Sequence, residues 1–517
     1  MKMTPQALTE KLADQQRQME ELAQLARRLQ ATIVAQQTTI EKLLKQIYGK
    51  KSERFDPNQM QFEKLVIDAC DQILPPEDSA RMACAEATAK PAAPRRSRPY
   101  NRTPIPAHLE RKEMVVAVPA EKRQCACCGK PMNEIGREIT EKLDYTPAAL
   151  YVNRYVRPKY ACGDCQCDGC GVQTAALPNE VLPKAKADAG LLAQVLVSKY
   201  YDHLPLYRQE AIFERYGMDL SRKTQCDWVL GCADALEPLY RRLKAAVLAS
   251  DVVLSDDTPV DLLSPGHGQV KTARLWVSVG GLDLKSCVYD FTLTRNKDGP
   301  LNFFKGYRGN LLSDAYGGYE PLFESDSGIV PSACWAHARR YFFEALPTQP
   351  ESAAEVLSWI RQLYRIEDQA RSWDPALRCG LRQEDSARVL DKIYAWLEEH
   401  LNAWLPKSPL GQAVHYAWKI WDRLCQYLLN GRIPIDNNLA ERALRPVAIG
   451  RKNWMFIGSE RGGRAAAIIM SFMHTCRLIG LEPWKYFKHT LAAINDYPAR
   501  QIDELLPAQF QKAHAPA

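Results

Sequence analysis

The sequence predicts a multidomain α/β protein built around a mixed-sheet domain with a helical insertion inside it. Three observations carry this. Strand-forming runs cluster between about residues 250 and 335, in a chain whose pattern elsewhere is largely helical. Two of those runs, Val252-Val-Leu254 and Asn310-Leu-Leu-Ser313, lead to aspartates, with two further strands between them. The chain has 517 residues, more than one core organises, so several modules are expected.

Residues 1–54 read as a coiled-coil helix. With Leu12 at heptad position a, Met19, Ala26, Ile33, Ile40 and Ile47 share that position, and Gln15, Leu22, Leu29, Gln36 and Leu43 fall at d. More than five heptads in phase predict association between chains, hence a homo-oligomer of at least two. A long amphipathic helix folded back on its own protein has the same pattern. Residues 55–107 are a linker whose Pro- and Arg-rich end, 90–106, has little to bury and cannot hold a helix.

Residues 108–184 read as a zinc-binding module. The polar N-terminus has no apolar signal core, and no window reaches the roughly 18 apolar residues of a membrane span, so a cytoplasmic protein with reduced cysteines is expected. Seven of its 16 cysteines fall between Cys125 and Cys170. Cys125 with Cys128, and Cys162 with Cys165, form two Cys-x-x-Cys knuckles whose four thiolates complete a tetrahedral Zn²⁺ site. Four thiolates leave no position open for water, so this zinc is structural. Cys127, Cys167 and Cys170 are left over and able to exchange into the site.

Residues 185–248 read as a helix-turn-helix-like segment. A helix over Tyr207–Tyr216 stops at Gly217, and Ser221 caps a second helix through Trp228. Arg222 and Lys223 then sit where such motifs meet a DNA major groove. A plain helical hairpin explains the same pattern.

Residues 249–344 form the first part of the sheet domain, with strands also at Ala273–Val279, Ser286–Thr292 and Ile329–Cys334. Asp256 and Asp314, each at a strand end, are what a ribonuclease-H-like catalytic domain requires. One sheet brings both carboxylates to one edge, where Mg²⁺ (or Mn²⁺) takes hard oxygen ligands and keeps room for phosphate. Residues 345–430 are helix-rich and read as an insertion. Residues 431–500 supply the last part of the domain, with Glu441 as the third carboxylate and Asp436 as its competitor; 501–517 are a tail. From Arg442 to Arg464 there are six basic residues against one acid, and Arg442, Arg445, Arg451 and Lys452 are the expected phosphate contacts. The net charge of +7 fits a polyanion partner without requiring one.

These stretches together resemble transposases of the insertion sequence 66 family. The matching strings run in order: Tyr48-Gly-Lys-Lys-Ser-Glu53, the paired knuckles, Asp202-His-Leu-Pro-Leu-Tyr-Arg-Gln209, Ser255-Asp-Asp-Thr-Pro259, Asp314-Ala-Tyr316, Trp335-Ala-His-Ala-Arg-Arg340, Leu405-Pro-Lys-Ser-Pro409, Asp436-Asn-Asn-Leu-Ala-Glu-Arg442 and Gly450-Arg-Lys-Asn-Trp454. The resemblance implies catalytic carboxylates at Asp256, Asp314 and Glu441. It also implies cutting at the inverted terminal repeats of a mobile element and attack of the freed 3′-hydroxyl on target DNA. Accessory proteins encoded by the same element, and a nucleoid-associated location, are further implications. The family usually has Asp-Glu-Thr where this chain has Asp256-Asp257-Thr258, which leaves an exchange of roles with Asp257 open. A non-catalytic DNA-binding protein derived from such an enzyme is the competing expectation.

Overall fold

The computed structural model describes residues 150–156, 159–160, 173–174, 180–183, 185–263, 270–281, 285–324 and 327–514. The expected coiled coil, the Pro- and Arg-rich linker, and the knuckles at Cys125, Cys128, Cys162 and Cys165 lie outside the described residues. All described residues belong to one unit, Leu74–Ala517.

Near its start a two-stranded antiparallel ribbon pairs β1 (Lys159–Tyr160) with β2 (Gln173–Thr174). Three helices follow: α1 (Ala189–Tyr200), α2 (Leu206–Arg215) and α3 (Arg222–Leu248). Asp188 caps α1, accepting the Ala189 N–H at 2.8 Å, and Gly217 ends the α2 segment at φ +76°. Ser221 caps α3 by accepting the Thr224 N–H at 3.2 Å. The expected second helix of a short hairpin is in fact 27 residues long. Its buried stripe of Trp228, Cys232, Leu236, Leu239, Leu243 and Val247 continues well past Trp228. Tyr240 on that stripe donates to the Tyr289 carbonyl at 2.7 Å, so the helix is part of the sheet domain's own core.

The sheet has strand order β5-β4-β3-β6-β7, from β3 (Val252–Leu263), β4 (Val270–Gly280), β5 (Ser286–Thr292), β6 (Gly309–Ser313) and β7 (Ile329–Ala333). β3, β4 and β5 are antiparallel neighbours, whereas β6 and β7 run parallel to β3. A short helix, α4 (Asp298–Phe303), precedes β6. The sheet is therefore mixed, as expected, but β3 does not end at its aspartates. It runs on through Pro259 to Leu263 because β4 pairs it along that whole stretch. On its other side β6 pairs only Val252, Val253 and Leu254, and β8 (Phe456–Ile457) pairs only Asp261 and Leu262. Between them β3 has no partner strand on that side among the described residues. Proline, which lacks an N–H, is tolerated in such a stretch.

Between β7 and its return to the sheet the chain is helical: α5 (Trp335–Ala345), α6 (Pro350–Gln369), α7 (Pro375–Leu381), α8 (Ala387–His400), α9 (Pro409–Lys419) and α10 (Trp421–Cys425). Its buried Arg382 forms a two-pronged ion pair with Glu367 at 2.6–2.7 Å and also donates to the Tyr427 carbonyl, so that charge is fully partnered. The chain then returns through α11 (Asn438–Trp454) and β8 to α12 (Glu460–Ile479), which lies over β5. Ser471 accepts the Tyr289 N–H at 2.8 Å, and Thr475 both accepts from and donates to the Cys287 backbone at 3.1 Å. Gly463 faces the Phe291 ring so closely that a β-carbon there would come within 2.6 Å of it. After α13 (Pro483–Ala493), the expected tail folds instead: a turn at Ile502–Leu505 and α14 (Pro507–Ala513) bury Leu505 and Phe510. Among the described residues no helix is long and apolar enough to cross a membrane.

Candidate active site

The two aspartates are brought together by register. Leu254 of β3 lies opposite Leu312 of β6 in the parallel pairing, and Asp256 and Asp314 each follow two residues on, at the same end of the two neighbouring strands. Both are half-buried. They sit where β6 leaves β3.

Glu441 comes to this place on the first turn of α11, and the helix entry is anchored by Asn437. That side chain is fully buried and donates to the Ser255 carbonyl at 3.0 Å, on the open side of β3 next to Asp256. The Asn437 N–H donates to the Cys334 sulfur at 3.1 Å, joining the start of α11 to the start of α5. Trp335 N–H reinforces the junction by donating to the Ile435 carbonyl at 3.1 Å. Asp436 is occupied locally: its carboxylate accepts from the backbone N–H and the side-chain amide of Asn438, at 3.1 and 2.6 Å. It shapes the turn into the helix.

Electrostatics single out Asp256. Burial, with the carboxylates of Asp314, Glu441 and Asp257 adding to it, pushes its carboxyl up to about 7, against the pull of the Asp257 N–H that it accepts. Burial also raises Asp314, with Arg295 opposing. His337, on the first turn of α5, completes the cluster: its Nδ1 stands 3.7 Å from Glu441 Oε1. Burial lowers the His337 pKa, with Glu441 and Asp314 opposing. Its Nδ1 is buried and has no hydrogen-bond partner.

Asp257 points elsewhere. Its side chain is 1% exposed and is clasped by Arg274 at 3.1 Å and Arg295 at 2.8 Å. Arg295 also reaches Asp314 at 3.3 Å and lies 3.9 Å over the Tyr316 ring, while the Tyr316 hydroxyl donates to the Arg295 carbonyl. Removing the charge of Asp257 leaves two guanidinium groups short of a partner. Asp257→Asn is therefore expected to cost about 2–3 kcal/mol, toward the low end for a buried pair because both arginines retain water contact. Urea unfolding measures this. Unchanged stability together with lost cleavage would hand Asp257 the ligand role instead.

The basic residues divide by surroundings. Arg442, Arg445 and Lys452 are exposed along α11. Arg451 is tied back to β3, donating to Thr258 Oγ1 at 3.2 Å and the Pro259 carbonyl at 2.9 Å. Arg461 and Arg464 pair with Asp234 and Glu237 of α3 at 2.6 and 2.8 Å, which makes them ties between helices. At the start of α3, Arg222 is ion-paired with Glu210 at 3.2 Å and Lys223 is exposed.

Sequence reasoning passed over Asn437, His337, Arg274 and Arg295. An arginine next to the apolar half of a strand, as Arg274 is beside Leu275-Trp-Val277, is a usable signal, since a charge buried there needs a partner. The two asparagines of Asp436-Asn-Asn look alike in sequence, and only burial separates the anchoring one.

Asp256, Asp314 and Glu441 are oxygen donors of the kind hard divalent cations take, and burial first, with the charges of Asp314, Glu441 and Asp257 adding to it, raises the Asp256 carboxyl.

The model described as the transposase IS66 family matches residues 184–465, and the zinc-finger binding domain of transposase IS66 matches 122–166, a span that contains all four expected zinc ligands. The model described as transposase C of IS166 homeodomain matches 35–114, and the IS66 C-terminal element matches 471–508. Uncharacterized protein y4hP of Sinorhizobium fredii is 32% identical over 510 residues, covering 93% of this chain and 90% of its own. Uncharacterized protein y4qI of the same organism is 34% identical over 429 residues, covering 80% and 78%. The central match spans more than half the sequence and the flanking elements follow in order, so the chain belongs to the transposase IS66 family.

Proposed function

We propose that the protein cleaves DNA at the ends of an insertion sequence and transfers the cut strand into target DNA, in a ribonuclease-H-like domain with Asp256, Asp314 and Glu441 as the metal-holding carboxylates. What supports this most is the placement of Asp256 and Asp314 just beyond the paired ends of β3 and β6, with the Asp256 carboxyl raised to about 7 by burial and by the charges of Asp314, Glu441 and Asp257. Bound Mg²⁺ or Mn²⁺ would polarise the phosphate and activate the attacking water or 3′-hydroxyl. The chain's own groups hold and orient. Asn437 and Cys334 fix the start of α11, Asp257 and Arg274 hold Arg295 against Asp314, and exposed Arg442, Arg445 and Lys452 offer the phosphate backbone a cationic face, with Arg451 bracing that helix on β3. Arg222 and Lys223 belong to the same reading as contacts to the terminal repeats. The heptad segment would join chains so that two ends are held together, and accessory proteins of the element are compatible partners. The test is purified protein with Mg²⁺ and DNA carrying the element's own ends, products resolved by strand. Nicking without strand joining would reduce the reading to a nuclease, and binding without either would reduce it to a DNA-binding protein.

The zinc ligands are proposed as Cys125, Cys128, Cys162 and Cys165. One Zn²⁺ per chain is expected by metal analysis. Cys162→Ser is expected to lose it and to unfold that module, since binding and folding of small zinc modules are coupled. Full zinc content in this variant would remove Cys162 from the set.

A further inference from the structure

The acidic centre contains a nitrogen donor. Cys334, His337 and Glu441 each present one ligand atom, and these atoms lie within 4.8 Å of one another. Within that cluster the Cys334 sulfur is 1% exposed and already accepts the Asn437 N–H, so it serves the junction of α5 and α11. His337 is placed differently. Its Nδ1 is buried, lacks a hydrogen-bond partner, and stands 3.7 Å from Glu441 Oε1. That is too long for a hydrogen bond. It lies between the roughly 3.0 Å of adjacent donors and the roughly 4.3 Å of opposite donors around an octahedral cation with bonds of about 2.1–2.2 Å, so an ion between them would need to draw the two atoms together by only some tenths of an ångström. A buried nitrogen facing a carboxylate oxygen, with neither bonded to the other, is a gap that a cation fills.

We infer that His337 is a ligand of the divalent cation held by Glu441, so that this position has a mixed nitrogen–oxygen shell and prefers Mn²⁺ over Mg²⁺. The inference rests on the acidic-centre reading above. Its chemical ground is that Mn²⁺, although it also favours oxygen, is a first-row transition ion that accepts an imidazole in its shell, whereas Mg²⁺ selects oxygen and gains little from nitrogen. The buried contacts of Cys334 and the Trp335 N–H fix the start of the helix turn that carries His337.

The experiment uses full-length, zinc-loaded protein titrated with Mn²⁺ and read by pulsed electron paramagnetic resonance. Wild type is expected to show coupling of the Mn²⁺ electron spin to a ¹⁴N nucleus. His337→Ala is expected to lose that coupling, and His337→Asp to lose it while retaining bound Mn²⁺ through an oxygen. In competition, the Mg²⁺ needed to displace Mn²⁺ is expected to fall roughly tenfold in His337→Asp relative to wild type. Mn²⁺ bound in wild type with no nitrogen coupling, or coupling that survives in both variants, overturns the assignment of His337 and leaves the three carboxylates standing. Absence of any bound Mn²⁺ that Glu441→Gln removes overturns the acidic-centre reading and this inference with it.

Discussion

Asp256→Asn is expected to lower Mg²⁺-dependent strand cleavage by about a thousandfold or more, because a lost metal ligand forfeits several kcal/mol of transition-state stabilisation. The same variant is expected to be more stable than wild type when no Mg²⁺ is added. Burial and the neighbouring carboxylates push the Asp256 carboxyl up to about 7 in the folded protein, whereas an unfolded aspartate titrates near 4. Between those values the folded state keeps a proton that the unfolded state has lost. Wild-type stability therefore falls as pH rises through this window and levels off above about 7. Asparagine does not titrate, so the gain should be on the order of 2–4 kcal/mol at pH about 8 and shrink toward pH about 5. Urea unfolding of zinc-loaded protein at the two pH values reads the second effect, and strand-resolved cleavage reads the first. Added Mg²⁺ should raise the melting temperature of wild type and not of the variant. Cleavage retained in Asp256→Asn, with no stability gain at the higher pH, would remove Asp256 from the centre.

Glu441→Gln is expected to produce a loss of cleavage of similar size, while Asp436→Asn keeps substantial activity. The two carboxylates are five positions apart in one string and differ in what they face. Asp436 turns inward to the backbone and side-chain amides of Asn438, and asparagine makes nearly the same turn. Glu441 is 41% exposed at the side chain, faces His337, and acts on the charge of Asp256. Its position on the first helical turn also allows a merely local role at the helix start, worth about 1 kcal/mol. Cleavage by both variants at matched protein concentration separates these. An active Glu441→Gln beside an inactive Asp436→Asn would reverse the roles.

Much of the sheet was legible because apolar runs are a strong local signal, and the runs before Asp256 and Asp314 are of that kind. The continuation of β3 was not. Asp256-Asp-Thr-Pro259 has the composition of a turn, and β4 overrides it by pairing from Leu254 to Leu263. The length of α3 was underestimated for a related reason: its buried stripe serves a sheet that the local pattern does not announce. His337 and Asn437 owe their places to contacts between residues about a hundred positions apart, such as Asn437 with Cys334, which no local window displays. The candidate carboxylates came from strand-end spacing together with the family resemblance, whereas the partners that orient them came from the fold.

The cover on β5 has a consequence for synthesis. β5 is the terminal strand of its sheet, and its outward backbone groups at Cys287 and Tyr289 are taken up by Thr475 and Ser471 of α12. Thr475 lies 188 residues downstream of Cys287. At about 5–20 residues per second the ribosome needs roughly 10–40 s to make that stretch. Throughout this interval the nascent sheet carries an open edge, which is a template for pairing with other chains. Translation that stops before α12 leaves a product whose β5 edge has no such cover, so truncated copies are candidates for aggregation and removal, and the sheet domain is closed only once α12 has been made.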